Sequence, residues 1–308
     1  MKKFMLFFMT ALLVYTPAIL TAQEQSGISL SRELTLQISS LPEAKFGFTQ
    51  KFIFPVFQGD SPLTSGNNLA LDLTAEISPV SLNGIARVVL TPVAFLQFTA
   101  GVRLGTGWNI NLFGSDIFGN GLNLKGSPNT ADGKPFDALL WKAFIGGTFQ
   151  FDLAAIFPGD WNHVVMQTYH EINYSGNTRA AANQPWFFES DSGENRNGFN
   201  YYGNFLLGYQ MPIFLNTVAF LAEMDLYLYD TPGRTAWGDD LIRWKFAPVF
   251  QFTVTEQFGI ALITQFRTVR NYNESNWKGM HFTDRTINNS KPLSVEFYRV
   301  AVILALKL

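Results

Sequence analysis

Residues 292–308 read PLSVEFYRVAVILALKL and alternate between two kinds of side chain. The first set, counted in steps of two from the end, is apolar and closes with an aromatic residue: Leu308, Leu306, Leu304, Val302, Val300 and Tyr298. The second set is smaller or charged: Lys307, Ala305, Ile303, Ala301, Arg299 and Phe297. Period-two alternation predicts a β-strand. A strand of about ten residues with an apolar outer face and a mixed inner face is typical of a transmembrane barrel. The last strand of a soluble β-sandwich is the alternative.

The composition favours the barrel. The chain has 308 residues, of which 47% are hydrophobic, 30 are Phe and only 15% are charged. Ordinary soluble domains carry roughly 25% charged residues. Beyond the N-terminus no apolar run reaches the roughly 18 residues that a membrane-spanning helix needs. The net charge of −2 argues against a nucleic-acid partner. The absence of cysteine excludes disulfides, thiolate chemistry and lipidation on an N-terminal cysteine.

The N-terminus is predicted to be an export signal. Residues 1–22 read MKKFMLFFMTALLVYTPAILTA, with two lysines before an apolar core and a small residue before the expected cut. This order is typical of a cleaved signal peptide, and cleavage would leave residues 23–308 as a single barrel domain. An uncleaved membrane anchor is the alternative.

The mature chain reads as strands separated by turns. Alternation predicts twelve strands, at residues 28–38, 45–54, 69–77, 85–90, 95–104, 139–153, 164–174, 199–211, 218–228, 242–252, 258–268 and the closing stretch. The predicted fold is therefore all-β, a transmembrane antiparallel up-and-down β-barrel of about twelve strands. The alternation is also compatible with ten or fourteen strands. Pro248 lies within a strand, where it is expected to remove a ladder bond or mark a bulge.

Connection lengths alternate along most of the chain. Counted back from the C-terminus, short turns near residues 253, 212, 158 and 92 alternate with long loops near 280, 235, 185 and 125. The long connection at 55–68 falls on the short-turn side. Either the strands near residues 78 and 90 are wrongly placed, or one periplasmic turn is long.

No arrangement of residues indicates catalysis. His163, His170 and His281 show neither the spacing of a nucleophilic triad nor that of a metal site. Asp239 and Asp240 precede a strand, where a carboxylate pair is more typical of solvated surface than of a protease. We therefore expect no enzyme activity and no catalytic, metal or cofactor site.

Charges on the predicted inner faces are more informative. The candidate lumen-lining residues are Arg243, Lys245, Arg267, Arg299, Glu223, Asp225, Lys142 and Arg103. Opposed charges across a water-filled pore orient solutes by charge. Alternatively, these charges pair with one another and close a lumen that is narrow at this strand number.

Several segments resemble known barrels. The closing strand resembles that of bacterial outer-membrane barrels, although those usually end in Phe or Trp and this chain ends in Leu308. The segments FPVFQGDSPLTSGNN (54–68), AEISPVSLNG (75–84), TPVAFLQFTAG (91–101) and GTGWNINLFG (105–114) resemble uncharacterised outer-membrane barrels of treponemal spirochaetes. The resemblance implies an outer-membrane location and a barrel of unassigned substrate.

The resulting expectation is a porin-like channel for passive diffusion of small polar or charged solutes, with the loops at 106–136, 175–198 and 271–291 facing outside. The rival is a surface-exposed structural or ligand-binding barrel with a plugged lumen. Expected partners are outer-membrane lipid and the barrel-assembly machinery, which would recognise the closing strand. The sequence indicates no particular oligomeric state.

Overall fold

The computed structural model describes residues 27–41, 43–112, 115–122, 135–181, 184–189, 193–228 and 237–308. The predicted signal peptide lies outside the described residues, so the boundary at residue 23 stays a prediction. The strands are β1 (Ser29–Ser39), β2 (Glu43–Pro55), β3 (Asn68–Ser78), β4 (Ser81–Val93), β5 (Leu96–Gly107), β6 (Asn109–Leu112), β7 (Ser115–Phe118), β8 (Asn120–Leu122), β9 (Leu140–Asp152), β10 (His163–Asn177), β11 (Trp186–Phe188), β12 (Gly198–Gln210), β13 (Leu215–Tyr227), β14 (Arg243–Thr253), β15 (Phe258–Arg270) and β16 (Leu293–Lys307). Short 3-10 turns lie at Leu153–Ala155, Trp277–Gly279 and Phe282–Asp284.

Twelve of these strands form a closed barrel. Their order around the ring is β1, β2, β3, β4, β5, β9, β10, β12, β13, β14, β15 and β16. Every neighbouring pair is antiparallel, and β1 closes the ring by pairing with β16, from Glu33 opposite Lys307 to Ser39 opposite Ala301. The predicted twelve-stranded antiparallel barrel is therefore confirmed. Two small sheets, β6 with β7 and β8 with β11, lie in long connections.

The two ends of the barrel differ in their connections. The end where β1 begins and β16 finishes, the turn end, carries the connections 56–67, 94–95, 153–162, 211–214 and 254–257. The opposite end, the loop end, carries the connections 40–42, 79–80, 108–139, 178–197, 228–242 and 271–292. The connection 56–67 at the turn end is thus long. A long turn was one of the two explanations that the sequence offered for the irregular connection lengths.

Strand β4 is longer than the sequence predicted. The pattern indicated a strand at 85–90, whereas β4 spans Ser81–Val93. The error came from Pro92, which was interpreted as part of a turn. The register between β4 and β5 shifts between Leu90 and Val93, and such an irregularity is where a strand tolerates proline. The turn itself lies at residues 94–95.

The outward faces of the barrel strands are apolar and uncovered. Ile145 is 64% exposed, Leu207 is 59% exposed and Phe220 is 51% exposed. Similar residues recur around the ring, and soluble monomers rarely expose contiguous apolar patches beyond a few hundred Å². A β-sandwich would need a second sheet over these faces, and the closed ring contains none. The outward surface suits hydrocarbon.

Aromatic side chains cluster outside the barrel toward the loop end. The rings of Trp141 and Tyr174 stack with centroids 5.0 Å apart, and Phe199 meets Tyr174 edge-on, also at 5.0 Å. Amphipathic rings at this level are typical of the girdle at a membrane interface.

A bulge in the closing strand overturns two predicted orientations. The register between β15 and β16 shifts at Gln265 and Phe266, and one extra residue reverses the faces that follow. Phe297, predicted to face inward, is therefore 55% exposed. Tyr298, predicted to face outward, is 7% exposed, and the Arg267 guanidinium lies 4.4 Å from its ring centre.

Pro248 interrupts the pairing of β14 with β15. It pairs with Phe220 of β13, but the ladder to β15 passes from Phe246 opposite Phe266 directly to Val249 opposite Ile263. The missing pairs lie where proline has no N–H to donate. The predicted loss of a ladder bond is confirmed.

Among the described residues, no helix is long and apolar enough to cross a membrane.

Candidate functional site

One half of the lumen is filled by an apolar core. It is built from inward side chains of the later strands, with Ala261 and Ile263 fully buried. Its other members are Leu206, Ala219, Leu221, Ala247, Val249 and Ile303. Small and branched residues alternate with outward Phe and Leu along these strands, so the inner faces can pack together. These buried side chains pack together and fill the lumen beside β12–β16.

The other half of the lumen contains a large cavity of about 480 Å³. Side chains from β2–β5, β9, β10 and β12 line it, and residues at its lower edge, such as Asn68, Thr91 and Gln210, belong to the turn end. Apolar lining residues include Ile53, Ala70, Ile85, Val89, Phe144, Val165 and Leu206. The cations that line it are Lys51, Arg87 and Arg103. A volume of this size is ordinary for a small-molecule site.

Charged side chains pair with one another along the wall of the lumen. Arg87 donates a hydrogen bond from Nε to Asp72 at 3.1 Å, and Lys142 Nζ lies 2.7 Å from Glu171. Tyr169 donates a second bond to Glu171 at 2.7 Å. These carboxylates are at most 2% exposed. Pairing satisfies charges that would otherwise be costly to bury.

The same pairing continues through the later strands. Arg299 is 1% exposed and donates to Gln265 at 3.1 Å and to Glu43 at 2.8 Å. Gln265 in turn donates to Glu223 at 2.8 Å, and Tyr202 donates to the other oxygen of Glu223 at 2.6 Å. The result is a hydrogen-bonded chain that joins β16 to β2 on one side and to β12 on the other.

The eight predicted lumen-lining residues occupy different surroundings. Arg103 lines the large cavity and also a second, smaller one of about 80 Å³ toward the loop end. Lys142 and Asp225 line the smaller cavity. Arg299 and Glu223 belong to the hydrogen-bonded chain described above. The others project from β14 and β15: Arg243, Lys245 and Arg267, of which Arg267 pairs with Glu296 at 2.7 Å. Those three do not line the large cavity.

A segment of the connection between β10 and β12 crosses the lumen. We call residues 184–189 the strap. Within it, β11 pairs with β8, and Phe187 is fully buried. Glu189 ends the strap, and its carboxylate lies 3.0 Å from Lys45 Nζ on the inner face of β2. Ser81 on β4 donates a hydroxyl hydrogen bond to the same carboxylate.

The strap reaches the far side of the ring. Strands β2 and β12 are six positions apart in a ring of twelve strands, so they lie opposite each other. Phe188 rests beside the Arg103 guanidinium, 5.8 Å from its ring centre. Trp186 and Phe188 also line the smaller cavity. The strap therefore closes the loop end of the lumen directly above Arg103.

The sequence analysis missed the strap because it placed residues 175–198 in one polar loop. The available signal was the apolar run Trp186-Phe187-Phe188 inside that polar surrounding. An apolar run of three residues in an otherwise polar loop indicates burial, though not what covers it.

A second group of loop residues clamps the loop end on the β13–β15 side. Arg270 donates to the Glu194 carboxylate, Arg243 lies 3.8 Å from it, and the Tyr227 hydroxyl donates to the Glu194 backbone carbonyl. Burial would raise the pKa of Glu194, but Arg270 and Arg243 outweigh burial and hold that pKa below its ordinary value. Glu194 therefore stays ionised at neutral pH.

The acidic pair before β14 is not the solvated surface that the sequence predicted. Asp239 is 7% exposed and accepts a hydrogen bond from Arg196 at 2.7 Å, whereas Asp240 is exposed. Arg196 is itself buried, with its guanidinium 5.3 Å from the ring centre of Trp237, and its charge compensates the buried Asp239 carboxylate.

The three histidines lie apart. His163 contacts Asp152 at 2.7 Å at the turn end, and His170 contacts the Tyr201 hydroxyl at 2.5 Å on the outer face. His281 is exposed in the last loop. Within the described part of the chain, no group of three or more potential metal ligands comes together.

Comparisons with known proteins add little beyond the fold. No protein-family model matches the sequence, and no curated protein matches it. Among solved structures, the chain is similar to the NanC porin (8% identity, 90% of this chain and 98% of that chain covered, TM-score 0.38). It is also similar to CdiB from Acinetobacter baumannii (8% identity, 91% and 60% covered, TM-score 0.36) and to OmpT, an outer membrane protein of Vibrio cholerae (6% identity, 91% and 97% covered, TM-score 0.32).

These similarities are too weak to carry an argument about function. The assignment of the barrel rests on its own strand pairing. Nothing in the comparisons links the chain to treponemal or other spirochaete proteins, so that part of the resemblance stays a prediction.

Proposed function

We propose that this barrel lies in a bacterial outer membrane, with lipid around its apolar outward faces. The loop end would face the outside of the cell and the turn end the periplasm. The supporting observations are the exposed apolar side chains around the ring and the longer connections at one end, since bacterial barrels carry longer loops outside. The predicted signal peptide would export the chain.

Its proposed function is passive passage of small polar or charged solutes, through a lumen that is closed in this conformation. The observation that carries the proposal is that two cavities follow one another along the lumen and share Arg103 in their linings. The large cavity extends from the turn end to Arg103, and the smaller one continues from Arg103 to the strap. The strap closes this path at the loop end, whereas the opposite half of the lumen is a packed core.

This path makes Arg103 the residue that sets charge preference. Its guanidinium lies 3.5 Å from Glu76 and 3.1 Å from the Asn83 side-chain oxygen, and it faces both cavities. A cation on the wall of a pore favours anions. The channel would therefore prefer anions once the strap moves.

Single-channel recording tests the proposal. Residues 23–308 are refolded into a planar bilayer with asymmetric salt on its two sides. We expect rare openings, and we expect Arg103→Glu to shift the reversal potential toward cation selectivity. The control is Lys245→Glu, which reverses an inward charge that lines neither cavity and should leave the reversal potential unchanged. A shift with the control and none with Arg103→Glu would place the path elsewhere.

A second candidate function is a surface barrel with a permanently plugged lumen that binds through its loops. The observation that favours it is the second clamp at the loop end, where Glu194 joins Arg270 and Arg243, and Asp239 joins Arg196. Correctly folded protein that carries no current, even with the strap contacts removed, would favour this candidate over the channel.

A further inference from the structure

The lining of the large cavity divides into a charged region and an apolar region. The charged region lies on β2 and β4, where Lys51 and Arg87 face the cavity. The apolar region includes Val89 on the same side and Phe144, Val165 and Leu206 on β9, β10 and β12. A pocket of this kind buries an apolar body and fixes a single charged group.

The cations of the charged region face the cavity, and their carboxylate counter-ions do not line it. Lys51 and Arg87 both pair with Asp72, with Lys51 3.8 Å from its carboxylate, and a second buried carboxylate, Glu33, also interacts with Lys51. The Asp72 side chain is 1% exposed and lies behind the cations, whereas the Lys51 side chain is 25% exposed. The carboxylate that does line the cavity, Asp152, lies at its lower edge and contacts His163 at 2.7 Å. A ligand in the cavity therefore meets the cations rather than their counter-ion.

We propose that the cavity binds small amphipathic monoanions, with the anionic group at Lys51 and Arg87 and the apolar body against Val89, Phe144 and Leu206. The inference rests on the proposed channel, since such a molecule would be a solute that it passes. A carboxylate accepts charge-assisted hydrogen bonds from both cations, and these bonds are about twice as strong as neutral ones. An apolar body of about ten carbon atoms would fit a cavity of this size.

The test compares two ligands that differ only in charge. 4-Phenylbutyrate and its neutral amide are titrated by calorimetry into refolded protein held in lipid nanodiscs, with empty nanodiscs as the blank. Wild-type protein is expected to bind the carboxylate on the order of 10-fold more tightly than the amide. Equal affinity for the two ligands would overturn the inference.

Three variants locate the site. Lys51→Gln should remove the preference for the carboxylate and leave amide binding unchanged, because it removes one of the two cations at which the carboxylate would bind. Val89→Trp should abolish binding of both ligands by filling the cavity. Lys245→Gln is the matched control, since Lys245 is an inward cation that does not line this cavity. Each variant is first checked for the heat-modifiable migration of a folded barrel.

The outcomes separate this inference from the proposed function. Unchanged carboxylate preference in Lys51→Gln, or unchanged binding in folded Val89→Trp, would refute the site while leaving any measured channel current intact. Conversely, the predicted binding pattern together with no current from variants that release the strap would support the site and refute the channel.

Discussion

The ion pair between Lys45 and Glu189 is expected to hold the strap closed, and removing one partner should open it. Lys45 Nζ lies 3.0 Å from the Glu189 carboxylate, and the two side chains are 10% and 11% exposed. Glu189→Gln leaves the Lys45 ammonium enclosed without its counter-ion. Loss of one partner of a buried pair costs about 3–5 kcal/mol, and we take the lower value because both side chains retain some contact with water.

The expected effect on opening follows from that value. In an open conformation both groups are hydrated, so the cost falls on the closed conformation alone. About 3 kcal/mol then raises the ratio of open to closed conformations about 100-fold, since each 1.4 kcal/mol is a factor of about ten. Open probability in single-channel records of Glu189→Gln measures this ratio directly.

The double variant supplies the control. Lys45→Met together with Glu189→Gln leaves no unpaired charge, so the closed conformation should recover and the ratio should rise less than about tenfold over wild type. A double variant that opens as readily as Glu189→Gln alone would refute the argument, because the pair would then show no coupling. Unchanged open probability in both would show that the strap contact does not control opening.

Other predictions concern stability. Arg299→Met should lower the free energy of unfolding by about 3–5 kcal/mol, because it removes the charged partner of Gln265 and Glu43. Arg267→Gln should lower it by less than about 1 kcal/mol, because the pair of Arg267 with Glu296 is partly exposed. Urea unfolding in lipid vesicles measures both changes. Ile263→Ala in the fully buried apolar core should cost about 2–5 kcal/mol in the same assay. The Glu194 pKa is lowered in the fold, so its stabilisation of the loop end is complete above its unfolded pKa of about 4.3 and is lost as pH falls through the folded pKa. Proteolysis of the loop end should therefore accelerate on acidification, and the acceleration should be absent in Glu194→Gln.

Alternation alone predicted most of the barrel wall. The outward and inward faces of β13, such as Phe220 outward and Glu223 inward, follow from the sequence because lipid and lumen demand opposite residue types. Alternation failed where a bulge adds one residue to a strand and so reverses the faces of the side chains beyond it. The bulge beside Gln265 reverses Phe297 and Tyr298, and nothing in the local pattern indicates that extra residue.

The state of the lumen could not be predicted from the same information. Inward charges were identified individually, but whether Arg299 pairs with Glu43 depends on the register that closes the ring, and the two residues are 256 positions apart in the chain. Likewise, 144 positions separate Lys45 from Glu189. Contacts of this range follow from the closure of the barrel and not from local periodicity.

A reversible cross-link between the strap and the wall provides the decisive measurement. The chain contains no cysteine, so Lys45→Cys with Glu189→Cys offers one unique pair for a short, reducible bis-methanethiosulfonate linker. Without the linker, this variant carries no unpaired charge, so it should open as wild type does, with a ratio of open to closed conformations raised less than about tenfold. We predict that linking the strap to β2 abolishes the single-channel current and that a reductant restores it. Equal current in the linked and reduced protein would contradict a path closed by the strap.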